Sequence, residues 1–128
     1  LPPEIKNGYD VLAVRMEIYR AAKNWTLMEV VSRELWKRHP DDPVHLKNLA
    51  WCIRRKESVE AAQAILLEAL GKFPNDAMTN YNLGCYACLL GDMDNAKKLV
   101  GDAIKLDSKY KLMALDDEDL KPLWETFA

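Results

Sequence analysis

This sequence predicts an all-α protein built of stacked helix–turn–helix units, and three observations carry that prediction. Its punctuation recurs every 34 residues, its apolar residues fall at helical spacing, and β-hairpin signals are absent. The recurrence is plainest where Arg38-His39-Pro40-Asp41-Asp42 becomes Lys72-Phe73-Pro74-Asn75-Asp76 and then Leu106-Asp107-Ser108-Lys109-Tyr110. The same shift turns Leu12 into Leu46, Leu49-Ala50 into Leu83-Gly84, Ala62 into Ala96, and Ala69 into Ala103. Three units follow without insertion: 9–42, 43–76 and 77–110.

Each unit holds two helices, expected over 9–22, 25–38, 44–56, 59–71, 77–90 and 93–106. The second unit reads most clearly. Leu46, Leu49, Ala50 and Ile53 stand at i, i+3, i+4 and i+7, and Ala62, Ile65, Leu66 and Ala69 repeat that stripe one helix later. Asn24 and Ser58 mark the turns inside the first and second units. Asp42 before Pro43 reads as an N-cap with a first-turn proline, and Asp76 caps the third unit. Gly91-Asp92 joins a C-terminal glycine to a fresh cap. A capping helix is expected over about 117–127, with Leu120, Leu123, Trp124 and Phe127 as its stripe and Asp117 to Asp119 at its start. Pro122 confines that start to 117–120, because proline fits only the first turn. A repeat stack has apolar ends, and such a helix covers one of them.

Composition sets the outer limits. At 128 residues, 49% hydrophobic and 30% charged, the chain is expected to form one globular domain over 1–128. The formal charge of −2 argues against non-specific nucleic-acid binding, which needs a strongly basic face, so no nucleic-acid partner is expected. That charge is divided, with +2 over residues 1–64 and −4 over 65–128, partly through Asp116, Asp117, Glu118 and Asp119. No apolar run reaches the ~18 residues of a membrane helix, so no membrane partner is expected. The chain opens on Leu1 with no signal segment, which reads as a trimmed or processed fragment. Three cysteines, an odd number, point to free thiols and a reducing, cytoplasmic setting.

The 34-residue unit resembles the tetratricopeptide repeat. Its pattern of large residue, Leu-Gly, aromatic, Ala, large residue, Ala and Pro is met in the second unit by Leu46, Leu49-Ala50, Ile53, Ala62, Leu66, Ala69 and Pro74. The third unit keeps Leu83-Gly84, Ala96, Val100 and Ala103 but departs at Asn80, Ala87 and Ser108. In the first, Leu12, Tyr19 and Pro40 remain, while Met16, Met28 and Leu35 replace small residues and Arg15 stands where Leu is usual. The resemblance implies a right-handed superhelical α-solenoid whose first helices line a concave side, and a binding role rather than catalysis.

Enzymatic constellations are missing from the sequence. Cys85 and Cys88 form a C-x-x-C in mid-helix, whereas a redox pair wants the helix N-terminus that lowers thiol pKa. A zinc site wants four ligands, and Cys52, His39 and His45 lack the spacing to complete one. His39 and His45 flank a turn and are expected to be solvated. Neither phosphate-binding nor hydrolase motifs occur, so no cofactor or metal is expected.

The concave positions remain. They are Asp10, Ala13, Glu17 and Arg20 in the first unit, Lys47, Asn48, Trp51, Arg54 and Arg55 in the second, and Met78, Tyr81, Asn82, Cys85, Cys88 and Leu89 in the third. Trp51 lies off the stripe of its own helix, and tryptophan and arginine dominate protein interfaces. The expected peptide-binding set is Lys47, Asn48, Trp51, Arg54, Arg55, Tyr81 and Asn82, and the expected partner is a mildly acidic, apolar protein segment. A chaperone-type carboxylate clamp is not expected, since only Asn48 fits and Glu17 carries the wrong sign. The alternative reading is a self-assembling, homo-oligomeric repeat module that stacks on another copy through Trp25, Trp36 and the irregular first unit.

Overall fold

The computed structural model describes residues 9–127, with side chains from Val11 onward. The described chain is all-α. Helices α1 (Tyr9–Ala21), α2 (Trp25–Arg38), α3 (Val44–Lys56), α4 (Val59–Lys72), α5 (Ala77–Leu89) and α6 (Met93–Leu106) begin at the expected residues and end within one residue of the expected ends. Their starts follow from the capping residues. Side chains of Asn24, Ser58, Asp76 and Asp92 accept the backbone N–H of Leu27, Ala61, Thr79 and Asn95. Asp42 Oδ1 accepts the Val44 N–H at 3.0 Å. Gly91, at φ +85°, supplies the left-handed turn between α5 and α6.

Each helix packs on the next in chain order, from α1 on α2 to α5 on α6. The small residues of the repeat sit at these crossings. Ala50, Ala62, Ala69, Ala96 and Ala103 are fully buried. Gly84 is the tightest case: a Cβ there would clash with Val100 Cγ2 and stand 3.1 Å from the Val100 backbone nitrogen. One core cluster runs from Leu46 to Leu123, and a smaller one joins Met16, Met28, Val31 and Leu35 to Cys52.

After α6 the chain departs from expectation. A further helix, α7 (Lys109–Asp116), begins where no element is expected, with Asp107 Oδ1 accepting the Lys109 N–H. The expected capping helix is a 3₁₀ helix, Glu118–Leu123, followed by one α-turn, α8 (Trp124–Phe127). Pro122 lies inside the 3₁₀ segment, and in a regular α-helix starting at Glu118 its ring would clash with the carbonyl four residues back. Leu120 and Leu123 are buried as the stripe predicts, against α5.

His45 also departs from expectation. It is buried at 3% exposure, its ring 6.0 Å from that of exposed His39. Burial holds its pKa below the usual histidine value, with nearby His39 acting in the same direction and Asp42 against it. Among the described residues, no helix is long and apolar enough to cross a membrane.

Candidate functional site

Between α3, α5 and the C-terminal segment runs a groove made of two adjoining hollows of about 310 and 260 Å³. Trp51, Asn82 and Asp117 border both. Their elements explain the meeting. Trp51 projects from α3 off its buried stripe, Asn82 from α5 four residues after Met78, and Asp117 caps the 3₁₀ helix that crosses α5.

Trp51 is 37% exposed. The Arg55 guanidinium lies 3.6 Å from its ring centroid and 5.3 Å from that of Trp25. That stacking fixes a cation over an aromatic face at the groove's edge. Arg55 also donates to the Trp51 carbonyl, the i,i+4 arrangement that keeps the pair together. Lys47 lies half-buried one turn earlier, beside Met78, Tyr110 and Met113. Burial lowers its pKa, and the Arg20 charge adds to that.

Arg54 points into the same groove but is engaged. Its guanidinium donates to both carboxylate oxygens of Asp119, at 2.8 and 3.1 Å. The hydrogen bond to Asp119 holds its pKa above the ordinary arginine value. Tyr81 is buried rather than an exposed anchor. Its hydroxyl donates to Asp117 Oδ2 at 2.8 Å, and its ring lies 4.9 Å from that of Tyr110. Asn82 Nδ2 donates to the Met78 carbonyl of its own helix.

Asn48 is placed elsewhere. It is buried against the first unit, and its Oδ1 accepts the Arg20 guanidinium at 2.8 Å. Of the seven expected residues, Lys47, Trp51, Arg54, Arg55, Tyr81 and Asn82 thus border the groove and Asn48 does not. The Asp10 side chain lies outside the described residues. Trp36 packs edge-on against Phe73 at 6.3 Å, under the Lys72 ammonium.

The cysteines carry free thiols and are buried. Cys85 Sγ donates to Asp117 Oδ2 at 3.6 Å. Burial first, then Asp117 and Asp119, push its pKa far above the thiol range, so it is a poor thiolate. Tyr86 beside it is pushed up to about 12, again mainly by burial.

Sequence reasoning missed the carboxylates of the groove. Asp117 was legible as a cap, and it does accept the Asp119 N–H. Its second oxygen and Asp119 reach back to α5 and α3, contacts that span 36 and 65 residues. Tyr110 and Met113 were hidden because α7 was. No protein-family model and no curated protein matches this chain.

Proposed function

We propose that the chain is a non-catalytic protein-interaction module of the tetratricopeptide-repeat kind, its three units 9–42, 43–76 and 77–110 wound as a right-handed superhelical α-solenoid. The matched burial of Ala62 with Ala96 and of Ala69 with Ala103, one repeat apart, supports that architecture. Its ligand is a segment of another protein, laid in the groove beside Trp51. The observation that carries this reading is Trp51 itself, a large aromatic left accessible at the junction of two hollows with a cation stacked on it. Such side chains dominate binding energy in protein interfaces.

The groove's chemistry defines the segment. Met78, Met113 and Trp51 favour apolar side chains, and methionines adapt to irregular shapes. Lys47 and Arg55 favour a carboxylate, while Asp117 and Asp119 confine it to the α3 side. Arg54 contributes little, because Asp119 satisfies it. Three free thiols accord with a reducing, cytoplasmic setting.

The test is capture of partners from a lysate by the full chain, identification by mass spectrometry, and titration of the purified partner. Trp51→Ala is expected to weaken binding at least ~5-fold, about 1 kcal/mol, while circular dichroism shows the helical fold retained. Equal affinity of parent and variant would move the interaction away from this groove.

A further inference from the structure

Helix α1 is covered by α2 on its Met16 side and is open on the other. Val14 and Ile18 are 57% and 58% exposed. Ile18 lies about 200° around the helix from Met16, so the two point in opposite directions. Ala13, Val14, Glu17, Ile18 and Ala21 line a shallow apolar hollow along this face.

The 34-residue register says what belongs on such a face. One unit on, Val14 and Ile18 correspond to Asn48 and Cys52, which are 3% and 0% exposed. Ile18 corresponds two units on to Tyr86, also 3% exposed. Each buried counterpart faces the preceding unit. Cys52 packs on Met28, Val31 and Leu35 of α2, and a Lys56–Glu29 ion pair of 2.7 Å seals that same crossing. The face around Cys52 that α2 closes on α3 therefore stands open around Ile18 of α1 among the described residues.

We propose that this face docks an amphipathic α-helix of another protein, seated on α1 as α2 is seated on α3. Helix-in-groove recognition of this kind reads an apolar stripe at i, i+3 and i+4. Glu17 stands mid-face, its side chain 61% exposed and its carboxylate 3.8 Å from the Arg20 guanidinium. The docking helix therefore carries Lys or Arg beside its stripe. A twofold pairing of two copies through this face fits less well, because it sets Glu17 against its own copy. The proposal does not depend on the groove beside Trp51.

A capped peptide of residues 24–39, the α2 sequence, is the probe, since it closes the equivalent face of α3. Titrated into the ¹⁵N-labelled full chain, it is expected to shift amides of Ala13 to Ala21 and to gain helicity. Ile18→Glu, which alters an exposed residue, is expected to melt like the parent and to bind at least tenfold more weakly. Val14→Gln is the second variant should Ile18→Glu disturb folding.

Absence of shifts in α1 at millimolar peptide would overturn the proposal. So would shifts centred on Trp51, or shifts in α2 that report exchange of the native helix. Sedimentation velocity of the full chain closes the test: a concentration-dependent dimer abolished by Ile18→Glu would assign the face to a second copy instead.

Discussion

Arg54 of α3 and Asp119 of the 3₁₀ helix form a two-point ion pair that bridges 65 residues of chain. Both side chains are about three-quarters covered, at 23% and 24% exposure. A planar guanidinium facing a carboxylate squarely is the strong form of such a contact. The pair ties the C-terminal segment to the second unit, beyond the α5 on which that segment lies. Asp119→Ala is expected to cost about 1–2 kcal/mol, since it also leaves the largely covered Arg54 guanidinium without its carboxylate. Urea denaturation of Asp119→Ala, Arg54→Ala and the double variant checks this, and a coupling near zero would count against the tie.

Gly84→Ala is expected to destabilise by about 1–3 kcal/mol, because the new methyl overlaps Val100 across the α5–α6 crossing. The overlap is with a side chain, so the losses from Gly84→Ala and Val100→Ala are expected to be less than additive in the double variant. A thermal melt of Gly84→Ala that matches the parent would mean that α6 shifts freely, against the tight packing described above.

Truncation after Asp116 removes Leu120 and Leu123, both buried on α5, together with the Asp117 and Asp119 contacts. Each large apolar side chain lost from a core is worth ~1.5–3 kcal/mol. The truncated chain is expected to melt at lower temperature and to bind a hydrophobic dye. Tyr81→Phe isolates the polar part, with an expected cost of about 1 kcal/mol from the lost Asp117 hydrogen bond.

His45 sets a pH dependence. Its folded pKa is lowered from 6.5, so between the two values the unfolded chain binds the extra proton. Stability is therefore level above about pH 6.5 and falls as pH drops below it. His45→Gln is expected to flatten that slope in melts run from pH 7.5 to 5. The Glu29 carboxylate, whose pKa the Lys56 hydrogen bond lowers from 4.5, acts only at more acid pH and leaves this window clear.

The helical pairs were legible because their information is local. Asn24, Ser58, Asp76 and Asp92 cap within three residues, and the apolar stripes repeat within one helix. The end of the chain was less legible for a physical reason. The stripe of Leu120 and Leu123 announced burial but not the 3₁₀ geometry that Pro122 favours. Asp117 and Asp119 gave no sign that their free oxygens would turn to α5 and α3, since long-range pairing leaves no periodicity in sequence. His45 was misjudged because a position next to a turn does not reveal which neighbour closes over it. Asn48 looked like a groove residue by register, and the Arg20 guanidinium claims it instead.

Two core clusters, rather than one, have a consequence for how the molecule breathes. Met16, Met28, Val31 and Leu35 form their own cluster around Cys52, joined to the larger one by Trp36 beside Phe73, whereas the larger cluster runs unbroken from Leu46 to Leu123. Opening the first helical pair therefore exposes far less apolar surface than opening the remainder. Such a molecule unravels from one end. Amide protons of α1 are expected to exchange through a local opening, and those of α5, enclosed by α4, α6 and the 3₁₀ helix, only on global unfolding.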